Sequence, residues 1–412
     1  MTNLWRIAGR NLLRYKRRTL LTLSLIVFGV LFVAVFEAVT GSFKGMMIGQ
    51  ITDSFLGHMQ IHRRGYLAAI ESLPLTMNLN PQAVQKMEEI LKTVPEIAAW
   101  SPRVKFGAMF SNFVETTNIR INGVDPEKEA RTVPLFASRI VEGDKVLRNG
   151  EILVPELLAK GLKVKVGDPV VVIATNRDGS VNGKQLKVGG ILESATGPGG
   201  RDGYLHVDDA MEILRMEEPE ISEVALRLRD FGRLHGVHDR LSSLLGEVKN
   251  AKGDRMFDVH TWEKISPFYN IASMIDIMTL FIKLMLIAIV LISIMNVMIM
   301  AVYERVREIG TMAAMGTLPR KILAMFVLEG FTMGMVGALI GSGLSAAAIY
   351  GIHAAKLTFN FSRQTGLILA PTIDPAALMT VSGIVIAVSI LASLQPALKA
   401  ARMDPIEALG HV

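Results

Sequence analysis

Glu37 and Lys283 carry opposite charges inside long apolar runs of this 412-residue chain. An ionised side chain in hydrocarbon is costly and faces a partner or a watery cavity. Glu37 lies 18 residues beyond Thr19, where its run begins, and Lys283 lies 19 residues before Val302, where its run ends. At 1.5 Å per helical residue, both reach about 27 Å from the same membrane surface. This predicts a Glu37–Lys283 pair, or one polar cavity flanked by both. The plainer alternative is that each snorkels separately to the interface. A third acid, Glu329, stands ahead of Gly330, Gly334, Gly337, Gly341 and Gly343. Small residues at four-residue spacing let helices approach closely. The stretch predicts a tightly packed helix, or one that flexes, and a packing face rather than a chemical site.

Other chemistry finds little support. His58 and His62 have the spacing that holds zinc on a helix. Their segment alternates like a strand, with Gln60 on the same face, and no third ligand is in view, so no metal site is expected. Neither a Gly-x-Ser-x-Gly elbow nor a G-x-x-x-x-G-K-S/T phosphate loop occurs. The Gly-rich run 196–203 lacks the lysine and the following hydroxyl, and reads as a loop. The chain is therefore expected not to be an enzyme and to hold no cofactor of its own. Glu88-Glu89 and Asp208-Asp209 would diverge on a helix and read as solvated surface. With no cysteine, neither a disulfide nor a thiolate site can form. The Met-rich stretch Ile294–Met300 suits varied apolar ligands, and suits lipid-facing filler equally well.

The elements that must position these residues are mostly apolar. Half of the chain is hydrophobic and its mean hydropathy is +0.38. A span needs roughly 20 apolar residues, and four stretches qualify: 19–41, 274–302, 321–350 and 375–395. Cytoplasmic loops are rich in Lys and Arg. The basic start (Arg6, Arg10, Arg14, Lys16, Arg17, Arg18), the connection with Arg305, Arg307, Arg320 and Lys321, and the tail 396–412 with Lys399 and Arg402 all fall on one side of four spans. Both termini are thus expected in the cytoplasm, with 46–270 outside. The net charge of +6 is then a topology signal, not a sign of nucleic-acid binding. Residues 1–18 put Trp5, Ala8, Leu12 and Tyr15 on one helical stripe and the arginines on another, as in a helix lying on the inner membrane face. The first run is long and lacks a clean A-x-A site, which predicts an uncleaved anchor.

The segment 303–320 reads as a charged extension of the second span, then a short apolar helix, a Gly stop and a Pro. It is either a plain helical hairpin connection or a lever that docks on a cytoplasmic partner. The run YERVREIGTMAAMGTLPRKI closely resembles the coupling segment of FtsX-like permeases, the MacB/LolC/LolE superfamily of ABC permeases. FVLEGFTMGMVGALIG (326–341) resembles that family's Glu-Gly start of the third span, ARMDPIEALG (401–410) its C-terminal ending, and NLLRYKRRTLLT (11–22) its N-terminal lead-in. The resemblance implies ATPase coupling through Glu304, Arg305, Arg307, Glu308, Ile309, Gly310, Met315 and Gly316. It also implies a second permease copy or paralogue, and a separate cytoplasmic ABC ATPase that binds ATP and Mg. The expected residence is a bacterial inner membrane.

Residues 46–270 read as mixed α+β: a strand at 57–62, a helix capped by Asn80-Pro81, a strand at 223–230, a helix from Phe231, and a strand at 255–262. The middle, about 115–220, reads almost wholly as short strands and turns. This layout resembles the family's periplasmic porter-like core with a β-rich insertion, and GHMQIHRRGYL (57–67) most resembles the lipoprotein-release branch. The expected fold is four membrane helices with a large α+β extracytoplasmic domain between the first and second. The expected function is extraction of lipoproteins toward a periplasmic carrier, with Glu37 and Lys283 at the cargo surface among membrane lipids. Alternatives are a MacB-like efflux permease and an FtsX-like regulator of a cell-wall hydrolase. The turn near 196–203 is the candidate for the carrier loop.

Overall fold

Among the described residues, four helices are long and apolar enough to cross a membrane: span 1 (Lys16–Ile51), span 2 (Tyr269–Glu304), span 3 (Pro319–Ala355) and span 4 (Pro375–Ala401). They belong to a computed structural model that describes residues 16–193, 198–250, 253–361 and 364–410. The expected N-terminal amphipathic helix lies almost wholly outside the described residues. The chain divides into a membrane unit, 1–45 with 272–412, and an inserted domain, 46–271.

Each span outruns its expected limits, and span 1 ends at Ile51 rather than residue 41. The apolar run sets how much helix fits in hydrocarbon, but the hydrogen-bonded backbone continues until something stops it. Here Thr52–Leu56 widens into a π turn, and Gly57 leaves helical space at φ 72°, ψ −179°. A Cβ at Gly57 would lie 2.9 Å from the Leu226 carbonyl oxygen, so only glycine fits.

The core of the membrane unit joins Ile26 and Val30 of span 1, Val290, Ile294 and Met298 of span 2, Phe326 and Met333 of span 3, and Val381, Val385 and Ala392 of span 4. Ile294 and Met298 are therefore packing residues, while Met300 on the same stretch is exposed. The glycines of span 3 divide their contacts. Gly330 and Gly334 meet Ser393 and Ser389 of span 4, and Gly337 and Gly341 meet Ile26 and Val30 of span 1. A Cβ at Gly337 would stand 2.6 Å from Ile26 Cγ2, whereas one at Gly343 would meet nothing within 4 Å. Gly343 thus drops out of the expected packing face. Gly337→Val should destabilise the bundle by about 1–3 kcal/mol, the usual cost of overpacking. Gly343→Val should shift the melting temperature of the purified chain far less, which thermal denaturation of both variants checks.

Among its described residues the domain holds ten strands: β1 (Met59–Arg63), β2 (Ile97–Ser111), β3 (Thr116–Val124), β4 (Ile140–Gly143), β5 (Glu151–Pro155), β6 (Pro169–Thr175), β7 (Val181–Leu192), β8 (Asp202–His206), β9 (Glu223–Leu228) and β10 (Phe257–Thr261). Helices punctuate them: α1 (Pro81–Lys92), α2 (Pro126–Thr132), α3 (Glu156–Gly161), α4 (Val207–Leu214) and α5 (Leu234–Gly246). Asn80 caps α1 as expected, its side chain accepting from Ala83 N at 2.9 Å. Strands β10-β1-β9-β2 form one sheet from the units β1–α1–β2 and β9–α5–β10. Beyond it β2 pairs β3, then β8, β5, β7 and β6 come in turn, and β6 returns to β2. These six strands close a ring.

The 115–220 region is rich in strands but is not made almost wholly of short strands and turns. It shares the long strand β2 with the core and contains α2, α3 and α4. Sequence periodicity is local and does not report which distant strands pair. Nor is Asp209 solvated surface. Its buried carboxylate accepts from Gly150 N at 2.8 Å and from Lys184 at 2.7 Å. Of the 196–203 run, 196–197 lie outside the described residues, Pro198–Arg201 is a 3-10 turn, and Asp202-Gly203 begin β8.

Candidate functional site

Span 1 and span 2 run antiparallel in sequence, and among the described residues two ion pairs tie them. Lys283 Nζ donates to Glu37 Oε1 at 2.8 Å, and Lys44 Nζ donates to both oxygens of Asp276 at 2.7 and 2.6 Å. Glu37 and Lys44 stand seven residues apart, as do Asp276 and Lys283, so on each helix both charges share a face at two turns. The signs are crossed: each helix reads acid then base, and the helices run in opposite directions. Slipping them by two turns would bring like charges together, so the crossed pairs hold the register. The second pair was not among the expected contacts, although the repeated spacing of seven was its signal.

Beside the first pair, Glu37, Ala34, Gly41, Ile349, Asp374 and Leu378 line a cavity of about 280 Å³. Glu37 Oε2 is buried and has no hydrogen-bond partner among the described residues.

At the other end of span 2 the residues expected to couple to an ATPase sort into two faces. Glu304 ends span 2, and a new helix, α6 (Val306–Ala314), begins at once. Arg305, Ile309 and Gly310 are buried, while Glu304, Arg307, Glu308, Met315 and Gly316 are exposed. Met315 is 74% exposed, and Gly316 ends the segment at φ 83°. Arg305 Nη1 donates to Glu329 Oε2 at 3.4 Å, with both side chains only 4% exposed. Glu329, expected merely to pack, thus connects span 3 to the segment between spans 2 and 3. The C-terminal helix α7 (Pro405–Gly410) packs on α6, with Ala408 buried. Lys399 Nζ donates to the Tyr303 hydroxyl at 2.9 Å.

The inserted domain holds a charged network that no local sequence pattern announces. Arg103 on β2 grips Glu129 of α2 through Nε at 3.1 Å and Nη2 at 2.6 Å, and donates from Nη1 to Glu223 of β9 at 2.9 Å. Lys105 lies 2.9 Å from Glu223, and Ser101 donates to Glu129 at 2.6 Å. Burial alone would raise the Glu223 pKa. Lys105, His62 and Arg103 overcome it and hold the carboxyl well below its usual range. Arg103 follows no sequence motif, because its partners come from distant segments.

His58 and His62 do not share a ligand. His58 Nδ1 accepts from Leu228 N at 3.1 Å, while His62 is fully buried and stacks on Tyr66. No group of three metal-ligating residues occurs among the described residues.

His260 on β10 sits 5.6 Å from His62 ring to ring, and burial, helped by His62, pushes its pKa down to about 4. Between pH 6.5 and 4 the unfolded chain binds the imidazole proton and the folded domain does not, so acidification favours unfolding. The melting temperature should fall across that window, and His260→Gln should flatten the fall, as calorimetry at stepped pH would read.

Residues 19–244, more than half the chain, match the MacB-like periplasmic core domain, and residues 280–405 match the FtsX-like permease C-terminal domain. This chain belongs to the FtsX/MacB-type ABC permeases. It is 25% identical over 431 residues to the probable export ATP-binding/permease protein MacB of Pseudomonas entomophila, covering 99% of this permease and 58% of that relative. The lipoprotein-releasing system transmembrane protein LolC of Neisseria meningitidis is 23% identical over 338 residues, covering 76% of this permease and 78% of LolC. The ABC transporter permease YknZ of Bacillus subtilis is 24% identical over 414 residues, covering 98% of each. The permease thus spans only 58% of the MacB relative's length. It is a multi-pass membrane protein with a large α/β periplasmic domain between spans 1 and 2.

Proposed function

We propose that the permease is the membrane subunit of an ABC-type mechanotransmission complex that draws lipoproteins from the inner membrane toward a periplasmic carrier. The observation that carries this reading is Glu37. It pairs with Lys283 through one oxygen, its second oxygen is buried without a hydrogen-bond partner among the described residues, and the residue lines a cavity between spans. An amphiphilic cargo with a cationic or hydrogen-donating head fits such a feature, and its acyl chains fit the exposed apolar faces of Phe28 and Phe32 on span 1 and Phe281 and Met285 on span 2. The exposed face of α6, with Arg307, Glu308 and Met315, offers a separate ATPase its docking surface. The buried Arg305–Glu329 pair would carry the movement into span 3. ATP and Mg are placed on that partner, the cytoplasm receives both termini, and a second permease copy or paralogue completes the complex. ATP-driven closure would then bias a two-state bundle.

Efflux is the second reading, favoured by the match to MacB across 99% of this chain. The test is depletion followed by separation of inner and outer membranes. Accumulation of outer-membrane lipoproteins in the inner membrane supports release. An unchanged distribution with raised macrolide sensitivity overturns it in favour of efflux.

A further inference from the structure

Arg63 ends β1 and Arg64 follows it, so two cations stand side by side at an exposed turn. The fold brings two more from distant segments: Arg177 in the turn between β6 and β7, and Arg255 just ahead of β10. All four are exposed, and all four line one cavity of about 720 Å³ within the periplasmic domain. Small-molecule sites typically enclose about 300–1,000 Å³. We propose that this cavity binds a phosphorylated polar molecule, a phosphate group carried on a hydroxyl-rich body such as a sugar.

Backbone bonds fix each segment of the lining. Arg64 N donates to the Met256 carbonyl at 3.0 Å, which sets the Arg63–Arg64 turn beside Arg255. Leu79 and Ile221 exchange N–H···O bonds at 2.7 and 3.0 Å, which holds the lead-in to α1 beside Glu220. Glu220 accepts from Arg177 Nη1 at 3.1 Å and ties the β6–β7 turn to the same wall. The start of α1 completes the lining through Asn80 and Ala83. Pro81 has no N–H, and Ala83 donates its own to Asn80 Oδ1. The helix therefore contributes the positive end of its dipole rather than free donors.

The charges decide the class of ligand. The lining holds four arginines and two acids, Glu220 and Asp254. Glu220 is engaged by Arg177. Arg63 Nη1 donates to a neutral acceptor, the Thr76 carbonyl, at 3.0 Å. Among the described residues, the side chains of Arg64 and Arg255 make no ion pair. The surplus of two positive charges matches a phosphate monoester, which carries about −1.5 to −2 at pH 7. The planar guanidinium fork suits phosphate oxygens in pairs. Asn78, Asn80 and Asn250 give the rest of the lining its polar character, and its apolar members are only Leu79, Ala83 and Met256. A hydroxyl-rich body fits such walls, whereas an acyl chain would find little apolar surface to bury.

The phosphate could arrive on a free sugar or on a membrane lipid headgroup, and two arms of one experiment separate these sources. The first titrates glucose 6-phosphate into the full chain in phosphatidylcholine nanodiscs by calorimetry, with glucose as the uncharged control. The second adds phosphatidylinositol 4-phosphate to the nanodisc and reads its retention by native mass spectrometry. Binding in the first arm marks a soluble ligand, and retention in the second alone marks a headgroup. Arg64→Gln and Arg255→Gln should each weaken binding by about tenfold, as for loss of a hydrogen bond to a charged group. Asp254→Asn removes the acid that opposes the ligand and should tighten binding by about threefold. Arg131→Gln deletes the same charge from an exposed site on α2 outside the cavity and should leave binding unchanged. All four positions are exposed, so the melting temperatures should agree. Failure of both the sugar phosphate and the lipid to bind overturns the proposal. So does binding that Arg64→Gln and Arg255→Gln leave undiminished, or that Arg131→Gln lowers equally. Neither arm depends on the cargo, so this site and the lipoprotein reading fail separately.

Discussion

Arg103→Met will destabilise the periplasmic domain by about 3–5 kcal/mol, among the largest effects expected of a single substitution in this permease. The methionine matches the arginine stem in bulk, so little packing is lost. What is lost is the charge that compensates two carboxylates, Glu129 and Glu223, both essentially buried. Removing one partner from a buried ion pair is far costlier than the pair's net worth, because the remaining charge has no water to turn to. Lys105 still faces Glu223, but Glu129 keeps only the Ser101 hydroxyl at 2.6 Å among the contacts of the network. Glu129→Gln in the Arg103→Met background should therefore cost less than the sum of the single changes, with a coupling of about 1–3 kcal/mol. Thermal unfolding of the four proteins of the cycle measures it. Additive losses would mean that Arg103 acts through shape and not through charge.

Charge reversal at Glu37 or Lys283 is expected to be the most damaging change in the membrane unit. Glu37→Lys places two cations side by side, and a lone charge in a span costs about 2.5–3.5 kcal/mol at the helix centre. The activity lost on depletion of the permease should fall by about tenfold or more, and Lys283→Glu on its own should do the same. The double swap restores the 2.8 Å pair with its signs exchanged. It should recover folding and expression. Activity should return only in part, because the unpartnered Glu37 Oε2 beside the cavity then becomes a lysine ammonium. If the swap restores neither expression nor activity, the pair does not join the spans. The neighbouring Lys44–Asp276 pair, with Asp276 mostly exposed, is a useful contrast. Its removal should cost at most about 1 kcal/mol, as for exposed ion pairs generally.

The positions of the intramembrane charges are legible in the sequence because depth in a span is a linear count along one helix. Glu37 and Lys283 reach one level whatever the bundle does. The charged run after span 2 and the Glu-Gly start of span 3 are equally visible as separate signals, but not their connection. Arg305 and Glu329 are 24 residues apart, on either side of a turn, and only packing puts one guanidinium against that carboxylate. Asp209 departs from its expected exposure for the same reason. Adjacent acids on a helix do diverge, but a neighbouring strand covers one of them.

By itself, the sequence determined the features set by composition and local period: four apolar helices and a strand–helix–strand unit at each end of the inserted domain. Tertiary structure decided the features that depend on distant chain segments meeting. β6 closes a ring back onto β2, and Arg103 lies between α2 and β9. Gln60 lines a cavity whose other residues come from both ends of the domain. Local patterns record which face of an element is buried. They do not record against what, because the free energy of pairing and burial belongs to contacts between segments that no local window contains.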